Sequence, residues 1–236
     1  AGEQELPRAP EGQHDSFRAL PATPAFDALA ALTTAITQQA PFCLSDRPLP
    51  DDIACPPGAF LTLTGGASGQ PKAVRRSQTS WIASFDVNAY RFALSSGDSV
   101  AVLGHLSHSL SLYAVLEALH LGLDAHVLAD QSPRRQSVCV TEAGATILYA
   151  TPTQLRLLAR GAATPLPSLR LLLCGGGALD AATHTNSFSL IPMASIPCLS
   201  YTITSFMGNF FAYKKAIRGP APGAHVFEPL HLTPDL

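Results

Sequence analysis

Charge is sparse in this sequence. Asp, Glu, Lys and Arg together make up 14% of the residues, against 47% for the hydrophobic set, which excludes a disordered polyelectrolyte and implies a globular chain. No basic excess exists either, because the formal net charge is -2. A nucleic-acid surface needs a positive patch or stripe, and Arg75-Arg76 and Arg134-Arg135 are isolated pairs. Nucleic acid is therefore not the expected partner. Long apolar runs are missing too: none reaches the roughly 20 residues that a helical membrane span requires. The start, Ala1-Gly2-Glu3-Gln4-Glu5, is polar and acidic, unlike a signal peptide. Cysteine is scattered over Cys43, Cys55, Cys139, Cys174 and Cys198, with no Cys-x-x-Cys pair. That pattern argues against a zinc site or disulfide framework and for small apolar thiols in a reducing cytoplasm.

What is present is a glycine-rich turn. The stretch Thr62-Leu63-Thr64-Gly65-Gly66-Ala67-Ser68-Gly69-Gln70-Pro71-Lys72 follows an apolar run, Ala59-Phe60-Leu61, that reads as a short buried strand. After it, Ser77 or Thr79 is placed to cap a helix. Glycines let backbone N–H groups approach an anion closely, and a concave row of such groups binds phosphate. Hydroxyls add donors and a lysine adds a compact positive charge. The same composition also makes ordinary surface turns. Spacing excludes two other loops: Pro71 and Ala73 flank Lys72 where a Walker loop needs Gly and Ser or Thr, and Gln70 stands where a nucleophile elbow around Ser68 needs glycine.

With 236 residues the chain is long enough for one large domain or two small lobes. Residues 1–58 read as a short N-terminal subdomain or lead-in, with one amphipathic helix from Ala25 to Ile36 that sets Phe26, Leu29, Leu32 and Ile36 near one face. From residue 59 onward strands and helices alternate. A helix is expected around Thr79 to Tyr90, a strand at Ser99–Leu103, a helix at Ser109–Leu121 and a strand at Ala125–Leu128. A further strand is expected at Thr146–Ala150, a helix from Pro152 to Arg160, and a strand at Leu169–Cys174 running into Gly175-Gly176-Gly177. Nearly continuous apolar strands in a βα rhythm predict an α/β fold with a mostly parallel sheet flanked by helices. Ligands gather at the carboxyl ends of such strands, and the turns at 65–69 and 175–177 are expected on one edge.

The turn at 62–72 resembles the phosphate loop of the adenylate-forming enzymes, the superfamily of acyl- and aryl-CoA ligases, luciferases and peptide-synthetase adenylation domains. The family pattern runs Thr-Ser-Gly-Ser/Thr-Thr-Gly-x-Pro-Lys-Gly. Thr64, Gly66, Gly69, Pro71 and Lys72 match it, Ser68 substitutes fairly, and Gly65, Ala67 and Ala73 depart. Three further blocks follow in the family's order. Gly104-His105-Leu106-Ser107-His108-Ser109-Leu110 is similar to a turn whose histidine approaches the acyl substrate, with His108 the better match; a loop histidine is otherwise commonly a surface or capping group. Residues 142–153 are similar to a Gly-Ala-Thr…Pro-Thr segment. Residues 169–179 are similar to the strand and glycine turn beside adenine, where a side chain would occupy the space of a flat base.

The next block breaks the pattern. The family carries Tyr-Gly-x-Thr-Glu, and the nearest match is Tyr201-Thr202-Ile203-Thr204-Ser205, with Ser205 at the glutamate position. No Asp or Glu occurs between Asp180 and Glu228, although Mg²⁺ favours carboxylate oxygen; the metal ligand is therefore unknown. Residues 217–226 resemble a Gly-Arg-Pro-x-Pro-Gly segment, while the family's ribose aspartate, hinge and C-terminal lobe are not among these residues. The resemblance implies an acid–thiol ligase of the AMP-forming type, using ATP, Mg²⁺ and CoA or another thiol, within residues 59–236. It implies phosphate binding by Thr64, Gly65, Gly66, Ala67, Ser68, Gly69 and Lys72, with Lys72 catalytic. Adenine would rest near Gly176, Gly177, Ala178, Tyr201 and Thr204, and a small-molecule carboxylic acid near His108. It admits a homodimer. A non-catalytic nucleotide-binding remnant, or an unrelated α/β domain that binds another phosphate, stays open at this point.

Overall fold

The computed structural model describes residues 17–49, 55–64, 72–177, 183, 190, 199–203 and 212–213. The chain divides into two compact units, the first holding Ala1–Ser84 and His105–Ser109, the second Phe85–Gly104 and Leu110–Leu236.

The first unit is built on four strands in the order β1-β2-β3-β4: β1 (Arg18–Leu20), β2 (Phe42–Leu44), β3 (Ala59–Thr64) and β4 (Lys72–Ser77). The first three run parallel and β4 returns antiparallel to β3. A helix, α1 (Ala25–Thr37), crosses between β1 and β2 and buries Ala28, Leu32 and Ala35, one turn apart along one face. Phe26, expected on that face, is exposed instead. β3 is buried on both faces. Phe60 stacks on Phe42 at 5.0 Å on one side and meets Trp81 edge-on at 4.8 Å. Leu61 and Leu63 join Cys43, Cys55 and Ala59 in an apolar cluster.

β4 was not foreseen in the sequence. It lies at the sheet edge with Lys72, Arg75 and Ser77 exposed, as an edge strand with one wet face allows. Ser77 takes the capping place before α2 (Gln78–Phe92), its Oγ accepting from the Ser80 N–H at 3.5 Å, a long contact.

The second unit holds a six-stranded sheet, order β10-β9-β8-β7-β5-β6, comprising β5 (Ser99–Val102), β6 (Asp124–Val127), β7 (Ile147–Ala150), β8 (Leu171–Gly175), β9 (Leu199–Ile203) and β10 (Ala212–Tyr213). All pairs are parallel except β9 with β10. Crossovers run through α3 (Ser109–Leu121), α4 (Pro133–Glu142) and α5 (Pro152–Gly161). Every residue of β7 is at most 1% exposed, as expected of a parallel strand covered on both faces. The chain goes from β5 to β6 on one side, then to β7 on the other, which makes a switch point at β5 and β7.

α4 was also unforeseen. It buries Gln136, Ser137 and Val140, so it shows no apolar stripe. Gln136 repays its burial by donating to the carbonyls of Leu103 and Leu128, at 3.2 and 2.8 Å, just beyond the ends of β5 and β6. Among the described residues no helix is long and apolar enough to cross a membrane.

Arg170 ties the other end of this sheet. Its guanidinium donates to both Asp98 oxygens, at 2.8 and 2.6 Å, and to the Phe92 and Ala93 carbonyls. Burial alone would raise the Asp98 pKa, but hydrogen bonds from Arg170, Thr146 and the Ser95 N–H, with the arginine's charge, hold it below the ordinary carboxylate value. Stability from this group is present above the ordinary pKa and is lost as pH falls through the depressed one. Arg170→Ala should therefore cost about 3 kcal/mol at neutral pH, with a smaller deficit in acid, measured by urea unfolding at each pH. A second substitution tests the helix packing. A Cβ on Gly161, at the end of α5, would lie 2.8 Å from the Arg134 backbone nitrogen and the Pro133 carbonyl carbon. Gly161→Ala should lower the unfolding midpoint by about 1–3 kcal/mol of stability, against alanine's better helix propensity.

Candidate nucleotide and acid site

Within the first unit the ladder of β3 and β4 pairs Ala59 with Ser77 and continues without a bulge to Leu63 with Ala73 and Thr64 with Lys72. Antiparallel pairing in unbroken register fixes both mouths of the connecting turn. Gly65, Gly66, Ala67, Ser68 and Gly69 lie outside the described residues. Thr64 ends one strand and Lys72 begins the other, directly opposite it. Lys72 is exposed.

The histidine turn is fastened to the same place. His108 forms a parallel bridge with Leu63, and the buried Ser109 donates its hydroxyl to the Leu63 carbonyl at 3.2 Å. The turn closes on itself through the His108 N–H, which donates to the His105 carbonyl at 3.0 Å. The two rings stand 6.4 Å apart at 61°. Although His108 reaches solvent, its pKa is lowered from the ordinary 6.5, first by partial desolvation and then by the His105 charge. The structure thus brings Thr64, Lys72 and His108 around the end of β3. Ser109, which holds the turn, was missed in the sequence; its place at the start of a helical pattern was the available signal.

The second unit holds the other candidates. Gly176 and Gly177 follow β8 and are exposed. Gly176 has φ of +81°, with Thr151 Cγ2 3.5 Å from where a Cβ would sit. Here a left-handed backbone requires glycine. Thr151 is itself committed to a capping box with Gln154 at the start of α5, which sets that side of the turn. Tyr201 lies in β9, in register with Leu173, and Gly175 pairs with Ile203, so β8 and β9 end level with one another. Ala178 and Thr204 lie outside the described residues. The turns at 65–69 and 175–177 do not share a sheet edge: the first follows a strand of the four-stranded sheet, the second a strand of the six-stranded one.

Among the described residues no group of three His, Cys, Asp or Glu could hold a metal ion. The sequence between Asp180 and Glu228 also lacks any carboxylate.

The family model for the AMP-binding enzymes matches residues 11–200. The uncharacterized acyl-CoA ligase YhfT of Bacillus subtilis (strain 168) is 32% identical over 116 residues, covering 49% of this chain and 24% of that protein. The apo structure of Mycobacterium smegmatis MbtA superposes with a TM-score of 0.55 at 19% identity, over 83% of this chain and 39% of that one. The o-succinylbenzoate CoA synthetase MenE of Bacillus subtilis, in complex with ATP and magnesium ion, gives a TM-score of 0.51 at 19% identity, over 62% of this chain and 30% of that one. At such identities the structural likeness is one of fold. The chain spans less than half the length of each of these proteins.

The environment of His108 generates a titration. Its midpoint, followed by the ring proton shifts in NMR, should lie below 6.5. His105→Ala should raise it part of the way only, because desolvation is the larger cause. A midpoint that falls in that variant would contradict the assigned geometry.

Proposed function

The chain belongs to the AMP-binding enzyme family, and we propose that it activates a small-molecule carboxylic acid as its acyl-adenylate at the end of β3. A carboxylate oxygen attacks the α-phosphorus of ATP, the bond to the β-phosphate oxygen breaks, and pyrophosphate leaves. Transfer of the acyl group to CoA or another thiol would complete an acid–thiol ligation. The observation that supports this most directly is the register that sets Lys72 opposite Thr64 beside the His108 turn.

The chemical demand is charge neutralisation on a triphosphate whose transition state spreads charge over its oxygens. The N–H groups and hydroxyls of residues 64–69 would supply donors, and Lys72 a compact ammonium with three protons to offer phosphate. His108, held toward its neutral form at pH 7, offers the incoming carboxylate a hydrogen bond without a neutralising charge, which leaves the attacking oxygen nucleophilic. Adenine would rest against the Gly176-Gly177 turn, open because it carries no side chains. Within this reading residues 1–58 are a lead-in and 59–236 the nucleotide-binding portion. Mg²⁺ would arrive on the triphosphate, and no step here runs through a protein carboxylate that holds it.

A second reading is favoured by one specific observation, the serine at position 205 in a stretch without carboxylates: the chain binds nucleotide and does not adenylate. Carboxylate-dependent ATP–pyrophosphate exchange separates the two. Under the first reading the parent chain exchanges with at least one of a panel of aliphatic and aryl acids. Lys72→Ala then loses about 100-fold or more of that rate. Absence of exchange in the parent, with ATP still bound, supports the second.

A further inference from the structure

Glu117 lies in the middle of α3, beneath the surface of the second unit and 0% exposed. Its neighbours in sequence, Leu116, Ala118 and Leu119, make it read as the single charge of an apolar helix. Two neutral groups hold its carboxyl. Asn88 Nδ2, from α2, donates to Oε1 at 2.7 Å. The Tyr149 hydroxyl, from β7, makes a short hydrogen bond to Oε2. The second amide proton of Asn88 goes to the Tyr113 oxygen at 3.0 Å, so the amide is fixed as a donor to both. Among the described residues no cation pairs with Glu117. The one ion pair between the same helices, His120 with Asp86 at 3.4 Å, has side chains 36% and 65% exposed.

A buried carboxylate with two hydrogen bonds and no counter-charge is poorly compensated for the water it has lost. Tyr113 and Tyr149 are the titratable groups that face it. Tyr149 cannot serve as the neutralising acid: burial, then the charge of Glu117 itself, pushes its own pKa well up. The carboxyl must then take its proton from solvent. We propose that Glu117 is a proton-operated clamp of the second unit, joining α2, α3 and β7 with a proton bound and holding them less tightly once that proton is lost.

Burial pushes the Glu117 pKa from 4.5 up to about 7, opposed by the bonds from Tyr149 and Asn88. A raised folded-state pKa gives stability that is complete below the unfolded value and declines as pH rises toward the folded one. None of the clamp residues is among those assigned to nucleotide and acid, and its test does not depend on catalysis. Urea unfolding of the full chain between pH 5 and pH 8 is compared with that of Glu117→Gln, which keeps the shape but cannot ionise. The folding constant of the parent, relative to the variant, should fall by up to about tenfold per pH unit as far as about pH 7 and then level off. Parallel profiles of parent and variant would overturn the clamp. Should the variant not fold, infrared titration of the parent decides. A protonated carboxyl band at pH 6 that persists above the ordinary carboxylate range, and titrates still later in Tyr149→Phe, supports the clamp; a fully ionised signal at pH 6 contradicts it.

Discussion

Two hydrogen-bonded attachments meet at Leu63, and the arrangement of the candidate site in the first unit depends on them. On one side Leu63 pairs with Ala73 in the antiparallel ladder that ends at Thr64 and Lys72. On the other its backbone bridges His108 and its carbonyl accepts the Ser109 hydroxyl. β3 is anchored through Phe60, which packs against Phe42 and Trp81, and the ladder it forms with β4 fixes the positions of Thr64 and Lys72.

The second unit solves a different problem. Its strands are short and apolar, and their order must be held where the chain switches direction between β5, β6 and β7. Polar side chains do this at both ends of the sheet. Gln136 bridges carbonyls beyond β5 and β6 at the carboxyl end, and Asp98, Thr146 and Arg170 form one network at the other. Each of these groups is buried or half-buried and paired, so each costs more to leave alone than to keep. The level ends of β8 and β9 follow from that order and pair Gly175 with Ile203.

Much of this was legible in the sequence. The helices from Ala25, Thr79, Ser109 and Pro152, and the strands at 99, 125, 146 and 169, announce themselves because apolar residues recur at the period of the element or fill it completely. The adenylate-forming family was legible too, since four motif blocks stand in order. What escaped notice lacked that signal for physical reasons. β1 and β2 have three residues each, too few for a period. β4 is an edge strand that places arginine in the ladder, and α4 buries a glutamine and a serine where an apolar stripe would be sought. Ser109 and Glu117 matter through partners 46 and 32 residues away in the chain, and such pairings have no local trace. Of the candidate site, the sequence supplied Thr64, Lys72 and His108, and only the fold brings them together at Leu63.

The most direct measurement is calorimetric titration of the full chain with ATP and, separately, with GTP. An adenylate-forming site of the proposed kind should give saturable ATP binding, with GTP markedly weaker. No saturable heat with ATP, or equal affinity for the two nucleotides, would contradict it.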